Sequence, residues 1–312
     1  MDVTLLGTGG VMPLPDRALT AAYIRPGSAA LLIDCGEGTQ TAIRRWGLRF
    51  KPIEAILISH FHADHISGLP GLLLTMGNEG RTEEVTLFGP AGLENVVRAL
   101  MTIVSDLPFP VRVRELSPEV PSRFSCAGVA VTAIPLRHGV PCLGYCVELH
   151  RPGKFDPQAA REKGVPLPLW SRLQMGESVG GFRPEDVLGP PRKGLRLLYA
   201  TDTRPVPELE TYAQDSDLLI LEGMFGDPEK QQRACVSFHM TMQEAAHIAR
   251  RCGAKALWLT HYSPATPHPE EFEDTLLPIF PHITIAADGQ RTLLRFEDSG
   301  DADPETKEGI SL

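Results

Sequence analysis

Six residues, His60-Phe61-His62-Ala63-Asp64-His65, constrain this chain more than anything else in its sequence. They follow residues 54–59, an apolar run that reads as a buried strand. On an extended segment side chains two apart project to the same side. His60 and His62 can therefore grip one metal ion together, while Asp64 and His65, where the chain turns toward a helix, can serve a second ion nearby. Imidazole and carboxylate are ligands that zinc accepts, and a catalytic zinc keeps one position open for water. Four such donors in six residues are difficult to explain as histidines that merely flank a helix start.

Two ions need more ligands, and the candidates stand at the ends of other expected strands. His138 follows the run 129–136, Asp202 follows 195–200 and His261 follows 256–260. Converging strand ends are the usual way an α/β site is assembled. A strand-terminal Asp is also a common turn residue, so these three weigh as a set rather than singly. His239 is of another kind. It lies just ahead of Thr241-Met242-Gln243-Glu244, a capping box opening an amphipathic helix with Ala245, Ile248, Ala249 and Cys252 on one face. A histidine there can meet a phosphate or a developing oxyanion, or simply be hydrogen-bonded at the cap. Glu222, closing the expected strand 218–221, can orient it. His150, His247, His268 and His282 carry no such context.

Around these residues short apolar runs alternate with helical patterns. Strands are expected at 3–6, 20–25, 29–34, 54–59, 85–88, 111–115, 129–136, 145–149, 195–200, 218–221, 256–260 and 291–296. Helices are expected at 39–46, near 65 with an irregular start at Pro70-Gly71, and at 93–104, 241–252 and 269–279. Strands continue after the parallel middle section, which favours an α/β sheet-on-sheet core flanked by helices over a simple doubly wound sheet. Residues 1–297 are read as one domain. Residues 151–193 are dense in Pro and Gly and are expected to form an inserted, protruding arm. Eight basic against five acidic side chains give the arm +3, leaving −12 for the remainder of a chain at −9. The acidic stretch 298–312 reads as a disordered tail.

Overall acidity argues against a surface coated in phosphate-binding charge. The six cysteines lack a CxxC pair and read as reduced, mostly buried thiols of a cytoplasmic protein. The start has no basic leader, and no apolar stretch reaches the length needed to cross a bilayer.

The cluster continues into Ile66-Ser67-Gly68-Leu69-Pro70-Gly71-Leu72-Leu73, and in this it resembles the ribonuclease Z family (tRNase Z, short form) of the metallo-β-lactamase superfamily. Leu5-Leu6-Gly7-Thr8-Gly9, Ile33-Asp34-Cys35-Gly36-Glu37-Gly38-Thr39-Gln40, Phe88-Gly89-Pro90, Thr201-Asp202-Thr203-Arg204 and Leu259-Thr260-His261 extend the likeness to about residue 295. The resemblance implies an αβ/βα four-layer sandwich and a homodimer whose arm grips precursor tRNA. It implies two Zn2+ ions per subunit, one held by His60, His62 and His138, the other by Asp64, His65 and His261, with Asp202 bridging. It further implies that Asp64 accepts the proton of the attacking water, that His239 assists at the phosphate, and that the product is tRNA freed of its 3′ trailer. Where the family carries Pro-x-Lys-x-Arg-Asn this chain has Pro13-Leu14-Pro15-Asp16-Arg17-Ala18, and the arm has Leu167-Pro168 in place of Gly-Pro. These differences keep a second expectation open: a metal-dependent hydrolase of the same fold acting on a small phosphodiester, ester or lactone.

Overall fold

The computed structural model describes residues 1–104 and 106–297; the expected tail lies outside them. The described residues form two compact units, 1–149 with 196–294, and 150–195 with 295–297. The strands are β1 (Asp2–Gly7), β2 (Ala21–Arg25), β3 (Ala30–Ile33), β4 (Ile53–Leu57), β5 (Val85–Pro90), β6 (Val111–Leu116), β7 (Ser122–Cys126), β8 (Val129–Leu136), β9 (Cys142–Arg151), β10 (Arg192–Ala200), β11 (Leu218–Glu222), β12 (Leu257–Thr260), β13 (Ile283–Ile285) and β14 (Arg291–Leu293). The helices are α1 (Thr39–Arg45), α2 (Ala63–Ile66), α3 (Leu69–Asn78), α4 (Leu93–Leu100), α5 (Pro157–Glu162), α6 (Trp170–Gln174), α7 (Pro207–Ala213), α8 (Gln231–Ser237), α9 (Met242–Arg251) and α10 (Glu273–Leu276).

Strand periodicity sets the layering of the larger unit. One sheet orders β14-β1-β2-β3-β4-β5-β6 and the other β13-β12-β11-β10-β9-β8-β7. In β3 and β4, Ala30, Leu32, Ile53 and Ile56 pack with Ile43 of α1, Leu69, Leu72, Leu73 and Met76 of α3, and Leu93 and Val97 of α4. The alternate residues Leu31, Ile33, Ala55 and Leu57 are equally buried on the opposite face. That face meets the second sheet: Tyr145 Oη donates to the Ile58 carbonyl at 2.6 Å and Leu143 N–H to Ser59 O at 3.0 Å. The second sheet repeats the pattern, with Leu219 and Leu221 of β11 packed with Leu209 of α7, Ala245, Ile248 and Ala249 of α9 and Leu276 of α10. Helices, sheet, sheet and helices therefore make the four expected layers. β3 to β6 and β10 to β13 run parallel, so their carboxyl ends can gather at one edge.

Most expected elements are present with altered ends. The helix expected at 93–104 stops at Leu100 and tightens into a 3-10 turn, Met101–Ile103, where the β-branched Thr102-Ile103-Val104 fits an α-helix poorly. The stretch 269–279 is a 3-10 turn, Pro269–Phe272, followed by the short α10. The strand expected at 291–296 is only Arg291–Leu293. β7, β13, α7 and α8 were not expected. β7 is joined to β8 by Ala127-Gly128, both at positive φ (48° and 78°), a two-residue hairpin turn without the usual Asn or Asp.

The smaller unit has a core of its own. Ala160, Val165, Leu173 and Val187 are buried, with Phe155, Leu169 and Trp170 against them. Asp156 caps α5 by accepting from Gln158 N and Ala159 N, and Trp170 Nε1–H donates to Val165 O at 3.0 Å. Gly153 passes so close to Gly189 that a Cβ would stand 1.9 Å from its carbonyl oxygen. Pro and Gly here shape short helices around that core rather than a structureless loop. No helix among the described residues is long and apolar enough to cross a membrane.

Tyr145→Phe removes the donor to the buried Ile58 carbonyl. It should lower unfolding stability by about 1–2 kcal/mol, read as a lower urea midpoint at unchanged slope; a native midpoint would refute the account of the contact between sheets.

Candidate metal centre

The sheet edges bring the candidate residues together. Asp34 follows β3, His60 follows β4, His138 follows β8, Asp202 follows β10 and His261 follows β12, while Glu222 ends β11. His62 is the extended N-cap of α2, and Asp64 and His65 lie in that helix's single turn. His239 sits between α8 and Thr241, whose side chain and that of Glu244 form the capping box of α9. Asp34, Asp202 and His261 have φ of 61°, 58° and 56°. This left-handed backbone bends each strand end, and such residues cost on the order of 1–3 kcal/mol and persist where their surroundings hold them.

His60 Nε2 lies 2.9 Å from His62 Nδ1, and His138 Nε2 lies 3.3 Å from the same Nδ1. His65 Nε2 and His261 Nε2 are 3.1 Å apart. Asp202 Oδ2 stands 3.2 Å from the first of these and 3.1 Å from the second, and Asp64 Oδ2 is 3.4 Å from both. Ligand atoms of His60, His62, His138 and Asp202 form one group in which all lie within 4.8 Å of one another, and those of Asp64, His65 and His261 form another. Asp202 also groups with His239 and His261. His60, His65, His261 and Asp202 are almost wholly out of water. Ring nitrogens aimed at one another repel unless a proton or a cation lies between them. Asp202 Oδ2 has no hydrogen-bond donor of good geometry despite its two close ring nitrogens. Nitrogen and oxygen donors in this arrangement fit a metal cofactor.

Other side chains aim these donors. Asp34 Oδ2 lies 2.8 Å from His65 Nδ1, so that nitrogen donates and Nε2 presents its lone pair to the cluster. Asp34 is itself held by Ser59 N–H at 2.7 Å and Ser59 Oγ at 3.0 Å. Ser59 Oγ is also 3.0 Å from His60 Nδ1. The backbone N–H of Val11 donates to Asp64 Oδ2 at 2.6 Å. Glu222 accepts from Thr203 N–H at 2.7 Å with one oxygen and contacts His239 Nδ1 at 3.0 Å with the other. Arg204 donates to the His239 carbonyl and pairs with Glu244, tying His239 to the cap of α9. Asp34, Ser59, Arg204 and Val11 had not been singled out as site residues. Asp34 offered the same signal as Asp202, an acid closing an apolar strand.

Burial and then His65 push His60 down to about 2. Burial also opposes charge on His65, but Asp202 and Asp34 outweigh it and hold its imidazole well above the ordinary value. At Asp64 burial works against the anion, yet hydrogen bonds from His261 and His65 keep the carboxyl well below its usual range. His239 is likewise opposed by burial and raised to about 9 by Glu222.

An imidazole binds a cation only through a nitrogen that carries no proton, and Asp34 takes the proton side of His65 at Nδ1. Metal affinity should therefore fall as pH falls, read by titrating metal into the protein at several pH values; an affinity independent of pH would contradict the assignment of the imidazoles as ligands.

Residues 30–262 match the family model described as the beta-lactamase superfamily domain. The chain is 48% identical over 302 residues to ribonuclease Z of Lachnoclostridium phytofermentans, covering 95% of this chain and 99% of that one. It is 46% identical to ribonuclease Z of Agathobacter rectalis, covering 96% and 99%. Among solved structures, human tRNase Z, short form, superposes with a TM-score of 0.70 at 26% identity, covering 95% of this chain and all of that one. With a similarity that runs almost from end to end, and a metal-binding cluster at its strand ends, this chain belongs to the ribonuclease Z family of the metallo-β-lactamase superfamily.

Proposed function

We propose that this protein is a zinc-dependent endoribonuclease that removes the 3′ trailer from precursor tRNA. The observation that carries this reading is the cluster of five imidazoles and two carboxylates in a chain similar to ribonuclease Z over nearly its whole length. His60, His62 and His138 would hold one zinc ion, Asp64, His65 and His261 a second, and Asp202 would be shared. Two such ions supply Lewis acidity at the phosphate and a nucleophile from water at neutral pH.

The chain's own groups divide the remaining work. Asp64, oriented by Val11 N–H, accepts the proton of the attacking water. His239, protonated at neutral pH through Glu222, donates to the phosphate or to the departing 3′ oxygen. Glu222 is a positioning residue, fixed by Thr203 N–H so that its second oxygen faces His239. In-line attack leaves a 3′-hydroxyl on the tRNA and a 5′-phosphate on the trailer. Residues 151–193 serve as the tRNA-gripping arm, in a homodimer, in the cytoplasm. Lys163 and Arg172 are paired there with Asp186 and Glu177, and Lys154, Arg183 and Lys193 are the arm's candidates for phosphate contact.

His62→Ala should cut precursor-tRNA cleavage by more than about 100-fold with loss of bound metal; wild-type turnover at matched occupancy would refute the assignment. His239→Ala should lose roughly 100-fold in rate while retaining metal; equal metal loss would make His239 a ligand instead.

Deleting residues 154–183 should cost tRNA cleavage while sparing a chromogenic phosphodiester, and added salt should weaken tRNA cleavage in the intact protein. Equal losses on both substrates would argue against a recognition arm. A protein inert to precursor tRNA yet active on the diester would favour the small-substrate reading.

A further inference from the structure

The left-handed backbone at Asp34, Asp202 and His261 is explained by the side chains it delivers to the cluster; at Val11 it is not. Met12 N–H donates to Gly10 O at 2.9 Å across Val11, whose φ is 72°. This is a three-residue turn of the rare, strained hand, occupied by a β-branched residue that disfavours it. Inside the chain the turn has one visible duty, the N–H that Val11 gives Asp64. Glycine would supply the same N–H without strain. Val11 is 59% exposed and Met12 53% exposed, so core packing does not compensate for the conformation.

The turn is anchored against the cluster. Gly10 N–H donates to Tyr262 O at 3.0 Å, and a Cβ on Gly10 would stand 2.5 Å from His261 Cε1. Arg17, the nearest basic side chain along this loop, is engaged with the carbonyls of Thr266 and Pro267 and lies over the Tyr262 ring. At Val11 and Met12 this rim therefore offers an incoming molecule apolar surface, with the acid Asp16 exposed further along the loop.

We infer that Val11 and Met12 form an apolar lip on which the unpaired nucleobase adjoining the scissile phosphate packs, making them specificity-determining residues. The inference rests on the RNA reading given above. A nucleobase at a single-stranded junction has lost a stacking neighbour, and a protein surface that covers its face recovers that contact without reading its sequence. An uncharged lip also gives a contact largely indifferent to salt, unlike a phosphate contact.

The test compares Val11→Gly and Met12→Ala with wild type on precursor tRNA, on the same RNA with an abasic junction nucleotide, and on a chromogenic phosphodiester, with metal content measured on each sample. Val11→Gly keeps the N–H and removes the strain, so folding is not at stake. KM for precursor tRNA should rise roughly three- to tenfold in each variant, a larger effect than on the diester and one that persists as salt is added. The abasic RNA should cost wild type a similar factor and cost Val11→Gly little more, the non-additivity expected of groups in contact. Additive losses, or a kcat loss shared by RNA and diester, would overturn the lip and leave the turn acting only through Asp64. Wild type that cleaves precursor tRNA alongside indifferent variants sinks the lip alone. Wild type that cleaves only the diester removes the RNA reading and the proposed nucleobase with it.

Discussion

Five imidazoles and two carboxylates are held in contact, largely out of water, where strand ends from two facing sheets meet. Ring nitrogens at such separations do not remain there for their own sake: their lone pairs repel, and burial penalises the protons that would separate them. The protein maintains the crowding by bracing several of the donors from behind. Asp34 fixes His65, Ser59 fixes both Asp34 and His60, and Val11 N–H fixes Asp64. Three strand ends bend through left-handed backbone to complete it. The rest of the unit, with its doubly buried sheets and outer helices, makes these strand ends rigid enough to bear that cost.

On this frame the chemistry separates by electrostatic setting. Asp64, between two imidazoles, stays an anion, while His239, beside the buried Glu222, stays a cation. Each group is held in its charged form by its own neighbours, and in the proposed mechanism the anion accepts a proton and the cation donates one. Arg204 links His239 to the cap of α9, so its orientation depends on a helix end as well as on Glu222.

Much of this was legible in the sequence because metal chemistry needs particular residue types at particular spacings. His60 to His65 announced themselves, and His138, Asp202 and His261 could be named because each closed an apolar run. Glu222 was reachable for the same reason, and the structure places it against His239. The bracing residues were harder to see. Val11 acts through its backbone N–H, which no residue type reveals, and Ser59 is an ordinary polar residue until its neighbours are known. In the fold, β7 was missed because its hairpin turn is Ala127-Gly128 rather than Asn-Gly, and its exposed alternation is weak. The segment 151–193 looked coreless because its buried residues, Ala160, Val165, Leu173 and Val187, are few and widely spaced.

In the proposed site these seven side chains cage two cations with Asp202 between them. Anomalous diffraction from zinc-loaded crystals measures this directly. Two peaks are expected, one within ligand distance of His60, His62 and His138 and the other within ligand distance of Asp64, His65 and His261, with Asp202 reaching both. A single peak, or peaks away from these residues, would contradict the account.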